Sequence, residues 1–274
     1  MLPKLRWIIF LSGLTLTGFL MEAGQRHVGP ATTSEPSSSG IHVLFIGNSF
    51  TYCEYMPQMV GALAKAGHQR PFRFEMQTPA GCTLEKHWND GLAVKKIRSR
   101  EWDVVVLQEQ SQRPLAKPDL MFDYGKILAE EIQRQGARTV LFVTFANRHK
   151  RQDQAAITNA YLKLSKDIDA EVAPVGNAWE MALSEHDQLV LHDADDSHPN
   201  AIGAYLTACV MYATIYGESP EGLPGWIGNI SDAEARVLQS IAWRSVQESN
   251  QPSSNRHQHR RSQAAAATTG TSNL

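Results

Sequence analysis

The chain has 274 residues, 42% of them hydrophobic and 20% charged, a balance that suits one globular domain of roughly 200 residues with tails. Its formal net charge of -2 gives no electrostatic basis for a nucleic-acid partner. Three cysteines, Cys53, Cys82 and Cys209, are too few and too odd in number for a disulfide framework, and their spacing does not suggest zinc.

Residues 1–23 read as a signal peptide or N-terminal anchor. Lys4 and Arg6 precede an apolar run from Trp7 to Leu20, with small residues at Ala23 and Gly24. The run is short for a membrane span, so export to the periplasm or cell exterior is the favoured expectation, and membrane attachment follows only if this segment stays uncleaved. Residues 24–40, with Gly29-Pro-Ala-Thr-Thr-Ser-Glu-Pro-Ser-Ser-Ser-Gly40, form a flexible polar linker. The folded domain spans 41–248. From 249 to 274 the chain is rich in Ser, Asn, Gln, Ala and Thr and reads as a disordered tail, with a small basic cluster at Arg256–Arg261.

Within the domain, Ile41-His-Val-Leu-Phe-Ile46 is an apolar, β-branched run that predicts a buried strand. It ends in Gly47-Asn48-Ser49, and a helix is expected from about Met56 to Ala66. Pro71–Gln77 alternates as a second strand. A loop through Gly81 then leads into a helix over about Leu84–Arg98. Trp102–Leu107 is a third strand running into Gln108-Glu109-Gln110-Ser111, followed by a helix over about Pro118–Gln135 with Gly136 at its end. Ala137–Thr144 gives a fourth strand, Asp153–Ile168 a helix and Glu171–Val175 a short fifth strand. A helix over Gly176–Leu183, another over Asn200–Tyr216 and a last one from Ser231-Asp-Ala-Glu234, a capping box, to about Gln247, expected to pack across the sheet, complete the order. The pattern βαβαβαβαβα predicts an α/β fold: a flavodoxin-like three-layer α/β/α arrangement with a five-stranded parallel sheet.

Two stretches carry chemistry. Ser49 lies at the carboxyl end of the first strand, where open α/β sheets place their ligands. In Asp195-Asp196-Ser197-His198-Pro199-Asn200, an Asp three residues before a His can orient the imidazole through one ring nitrogen. The other nitrogen is then free to take a serine proton, and Pro199 suits the first turn of the following helix. Asp193, His192 and their neighbours offer metal-ligand chemistry, but bunched on one loop without a helical His pair they more naturally shape that loop. No cofactor motif is present. Trp88 is a candidate face for a sugar ring, and the loop Phe145–Arg151 a candidate wall of the crevice.

Ser49 early and Asp195-x-x-His198 late, joined by α/β alternation, resemble the SGNH hydrolases, also called GDSL-type esterases and lipases. Val175-Gly176 before Ala178-Trp179 also looks like a divergent bacterial exported subgroup. The resemblance covers nearly all of residues 41–216. It implies Ser49, Asp195 and His198 as the catalytic triad, and N–H groups of Ser49 and Gly81 as oxyanion donors. The family's Gly-x-Asn-Asp block is altered here to Gln108-Glu109-Gln110-Ser111. Gln110 falls at the Asn position, with Gln108 the alternative donor. Asn48, Trp88 and Gln108 complete the expected substrate contacts. Cys53 and Cys82 each lie near such a loop, where one bridge would suit an oxidising compartment, although free buried thiols are the expected state.

The implied function is a serine esterase acting on small acyl esters, chiefly O-acetyl groups of carbohydrates, with a small-molecule or polysaccharide ester as partner. A lipid esterase, an acetyltransferase on the same fold and a catalytically weak carbohydrate-binding protein are the alternatives.

Overall fold

The computed structural model describes residues 40–225 and 230–251. The expected signal or anchor, nearly all of the linker and the tail from 252 onward lie outside the described residues.

Five strands, β1 (Ile41–Ile46), β2 (Phe72–Gln77), β3 (Val104–Leu107), β4 (Arg138–Phe142) and β5 (Glu171–Ala173), form one sheet in the order β2-β1-β3-β4-β5. Every pairing is parallel, with Val43 opposite both Phe74 and Val104. The helices are α1 (Ser49–Tyr52), α2 (Met56–Ala66), α3 (Leu84–Asp90), α4 (Leu92–Ile97), α5 (Arg113–Ala116), α6 (Pro118–Arg134), α7 (Gln154–Ile168), α8 (Val175–Glu185), α9 (Ala201–Tyr216) and α10 (Asp232–Asn250). This is the expected three-layer α/β/α architecture.

The two-residue period of a strand sorts the core into two layers. Val43, Phe45, Val104, Val106, Val140 and Phe142 share one apolar cluster with Met56, Val60 and Leu63 of α2, Trp179 of α8, and residues of α9 and α10. Their neighbours Leu44, Ile46, Val105, Leu107 and Leu141 face the other side and pack with Leu84, Ile97, Met121, Leu128, Ile132 and Leu164. Both sheet faces are covered, which is why β1 and β3 are nearly continuous apolar runs, whereas the edge strand β2 alternates.

Three readings are corrected by tertiary packing. The helix expected over Leu84–Arg98 is two helices, broken at Gly91, whose φ of +72° ends α3 in the left-handed region. The last helix does not lie across the sheet. It packs on α9 and α8, because α9 is apolar on all sides and fills the layer between them. Pro199 lies outside its helix, one residue before the cap: Asn200 is the N-cap of α9, its side chain accepting the Gly203 N–H at 3.0 Å. The capping box of α10 forms as read, with Ser231 and Glu234 each accepting the other's backbone N–H. All three cysteines are free, so Cys53 and Cys82 are not bridged. Among the described residues, no helix is long and apolar enough to cross a membrane.

Candidate active site

The strand order reverses direction around β1, and the loops after β1 and β3 open a crevice at their carboxyl ends. It measures about 560 Å³ and is lined in part by Ser49, Tyr52, Glu54, Gly81, Gln110 and His198. A smaller hollow of about 320 Å³ lies near the amino ends of β4 and β5, beside the Arg138–Glu171 ion pair, and contains no candidate nucleophile.

Ser49 is the first residue of α1. The cap is Asn48, whose Oδ1 accepts the Phe50 N–H at 3.1 Å, so the serine hydroxyl is left free of capping duty. Its Oγ lies 2.8 Å from His198 Nε2. On the far side of the ring, Nδ1 is 2.5 Å from Asp195 Oδ2. Asp195 Oδ1 accepts the backbone N–H groups of His198 at 2.8 Å and Ser197 at 3.0 Å. One carboxylate thus shapes the loop and holds the imidazole. The His198 hydrogen bond, aided by these two N–H groups, pulls the Asp195 carboxyl down to about 2.

The histidine loop is braced on every side. The Asp193 N–H donates to the His198 carbonyl at 2.8 Å, and His192 pairs with Pro199 as an antiparallel bridge. His192 itself is buried and bonded to the Ala146 carbonyl at 2.9 Å, and burial holds its pKa below the usual range. The loop after β4, read as a crevice wall, does a different job. The Arg148 N–H donates to the Asp196 carbonyl at 2.9 Å, and the Arg148 and His149 side chains engage the Asp196 carboxylate. Beneath lies an aromatic pile: Trp179 on Phe145 at 3.6 Å, Phe145 on Phe50 at 4.7 Å, and Phe50 edge-on to His198 at 5.5 Å. This pile fixes the height of the imidazole over the sheet.

Gly81 has φ +64°, a conformation that favours glycine, and open space around its Cα. Among the described residues, no protein acceptor takes the N–H of Ser49 or of Gly81. Gln110 also lines the crevice. Its Oε1 accepts the Gln112 N–H at 2.9 Å, while Nε2 has only a long contact, 3.4 Å, to Ser111 Oγ. The amide is therefore oriented by its oxygen and keeps its N–H donors in hand.

Of the three expected substrate contacts, Gln108 and Trp88 lie away from the crevice, and Asn48 borders it with its side chain already engaged. Gln108 is fully buried and bonded to the loop that carries Ser49. Its Oε1 accepts the Asn48 N–H at 2.8 Å and the Thr51 hydroxyl at 2.9 Å, and its Nε2 donates to Asn48 Oδ1 at 3.0 Å and the Glu109 carbonyl at 2.7 Å. With its polar capacity consumed, it is a clamp on the loop rather than a donor to substrate. Gly47 permits this approach, since a Cβ there would sit 2.5 Å from Gln108 Oε1. The Asn48 side chain borders the crevice but is likewise committed, donating to the Cys82 carbonyl at 3.1 Å besides its bonds to Gln108 and Phe50. Trp88 packs against the core layer under α3 and is absent from the crevice lining. The neighbouring His87, whose pKa burial lowers, bonds to the Gly47 carbonyl at 2.7 Å.

Sequence reasoning passed over Glu109, which is wholly buried. Burial pushes its carboxyl up to about 7, against the lowering effect of bonds from the Gln110 and Leu84 N–H groups. The available signal was a charged residue two positions after the buried strand Val104-Val-Val-Leu107. Tyr52, Glu54 and Asp193 were also overlooked as crevice-lining residues.

No family model matches the chain, and no curated protein matches it in sequence. Solved structures do. An assigned SGNH hydrolase from Slackia heliotrinireducens is 24% identical, with a TM-score of 0.57 over 65% of this chain and 100% of that one. A DUF4886 family protein from Bacteroides uniformis is 19% identical, with a TM-score of 0.61 over 76% and 95%. A variant of an acetyl-xylooligosaccharide esterase from Geobacillus is 18% identical, with a TM-score of 0.53 over 69% and 97%. The fold is that of the SGNH hydrolases, as the resemblance of the first and last blocks implies.

Proposed function

We propose that the protein is a serine carboxylic ester hydrolase acting on small, uncharged acyl esters, with O-acetyl groups of carbohydrates as the favoured substrate. The observation that carries this reading is the unbroken relay Ser49 Oγ–His198 Nε2 and His198 Nδ1–Asp195 Oδ2 at the crevice mouth. Ser49 Oγ attacks the ester carbonyl carbon while His198 Nε2 takes its proton. The N–H groups of Ser49 and Gly81 and the amide of Gln110 receive the developing oxyanion. The bond to the alcohol oxygen then breaks, and His198 returns the proton to that oxygen. Water repeats the sequence on the acyl-serine and releases the acid.

Crevice chemistry supports the substrate class. Its walls carry the carboxylates of Glu54, Asp193 and Asp195 but no lysine or arginine, which disfavours an anionic acyl or alcohol group. Tyr52 offers an aromatic face beside Glu54, a pairing suited to sugar rings and their hydroxyls. The sugar-stacking part assigned to Trp88 by sequence passes to Tyr52. An acetyl-xylooligosaccharide esterase among the proteins of the same fold is consistent with this choice.

The test compares p-nitrophenyl acetate with butyrate and octanoate esters, then acetylated with succinylated xylooligosaccharides. Turnover is expected to fall with acyl length and to be lost on succinyl esters. A preference for octanoate would replace the acetyl reading with a lipid esterase. No turnover on any ester would favour a sugar-binding role.

Gln110 gives a second expectation. Gln110→Met keeps the side-chain length but removes the amide donor, and should lower kcat by roughly 10²- to 10³-fold with KM little changed. Steady-state kinetics on p-nitrophenyl acetate decide it, and an unchanged kcat would remove Gln110 from the oxyanion site.

A further inference from the structure

We infer that Glu109 is the positioning residue that sets the separation of the two crevice loops carrying Gly81 and Gln110. The inference rests, for its catalytic consequence, on the esterase reading above.

A single oxygen of the buried Glu109 side chain, Oε1, accepts two backbone N–H groups. One belongs to Gln110 at 2.7 Å, on the loop after β3. The other belongs to Leu84 at 3.1 Å, the first residue of α3 and three positions past Gly81. These segments are not neighbours in the chain, and this oxygen ties them at the crevice wall. The residue is itself anchored from behind, since its N–H donates to the Tyr161 hydroxyl of α7 at 3.2 Å. Its second oxygen, Oε2, has no protein partner among the described residues. The nearby charges are Arg113 of α5 and Glu85 of α3, which pair with each other at 2.9 Å.

Burying a carboxyl group is costly, whereas an aliphatic side chain gains from the same burial. Simple core filling between Leu107 and the α3 layer calls for an aliphatic residue. What only an acceptor can do there is hold two N–H groups of different loops at one point. Those N–H groups flank the donors that must meet an oxyanion within a few tenths of an ångström, and a small displacement of such donors costs rate rather than affinity.

The experiment compares Glu109→Gln with Glu109→Leu in the full chain, reading kcat, KM, thermal midpoint and residue-resolved amide hydrogen exchange. Gln retains Oε1 as an acceptor without the charge, whereas Leu has none. In Glu109→Leu, exchange should quicken at Leu84 and Gln110 while the sheet keeps its protection. The same variant should lose roughly 10- to 100-fold in kcat with KM within about twofold. Glu109→Gln should keep both the protection and most of kcat.

Unchanged exchange at Leu84 and Gln110 in Glu109→Leu would overturn the inference. So would a Gln variant as slow as Leu, or a kcat loss matched by equal changes in KM and a general loss of protection. If the wild-type protein shows no Ser49-dependent turnover, the esterase reading fails, and exchange at the two loops alone decides whether Glu109 ties them.

Discussion

Ser49→Ala is expected to lower kcat/KM on p-nitrophenyl acetate by at least ~10⁴-fold while leaving the thermal midpoint within a few degrees. The asymmetry between activity and stability follows from where the serine sits. Asn48, not Ser49, caps α1, and no core contact depends on the hydroxyl, whose one hydrogen bond is to His198. Alanine at the first position of a helix is well tolerated. What vanishes is the atom that forms the bond to the acyl carbon, and residual rate would come only from the oxyanion donors and binding. Kinetics and a melting curve on the same preparation test both halves. Turnover like that of wild type would refute the nucleophile, and a collapse in stability would show that the loop needs the hydroxyl.

Asp195→Asn is expected to cost about 10⁴-fold in kcat, more than the loss of any single oxyanion donor. Asn can still offer an oxygen at the position of Asp195 Oδ1 to the N–H groups of Ser197 and His198, so the loop should keep its shape. The atom facing His198 Nδ1, now 2.5 Å away, becomes an amide nitrogen. That donor favours the tautomer with its proton on Nε2, and an Nε2 already protonated cannot accept the proton of Ser49. A pH signature accompanies this. The Asp195 carboxyl is held at about 2 rather than 3.8. A depressed acid contributes stability that is present above its unfolded value and is lost as pH falls from about 4 toward 2. Acid titration of the thermal midpoint should therefore be shallower in the Asn variant over that window. An Asn variant with wild-type kcat would mean that the aspartate serves the loop alone.

The strands and most helices were legible because the information is local. Val104-Val-Val-Leu107 has few options other than a strand buried on both faces, and Ser231-Asp-Ala-Glu234 announces its helix by capping chemistry. The juxtaposition of Ser49 with His198 was legible for a different reason. A parallel sheet puts the carboxyl ends of all its strands on one edge, so a serine after β1 and an Asp-x-x-His before the last buried helix had few other places to go. The break at Gly91 was missed because a single glycine within an amphipathic run is compatible with either a continuous helix or two short ones. The position of α10 was missed because an amphipathic face does not say whether a sheet or a helix covers it.

The sequence alone thus determined the order of elements and the parallel sheet, which depend on periodicity, and it singled out Ser49, Asp195 and His198 as the proposed triad from a strand end and the Asp-x-x-His spacing. It could not apportion the polar residues of Gln108-Glu109-Gln110. Strand alternation put Gln108 and Gln110 on one face, yet β3 ends at Leu107 and the rule lapses with it. Only the tertiary structure gave Gln108 to the Ser49 loop, Glu109 to the α3 loop and Gln110 to the crevice, because each assignment depends on which backbone N–H groups lack a partner there. Those N–H groups are supplied by segments up to 60 residues away, and no local pattern encodes their arrival.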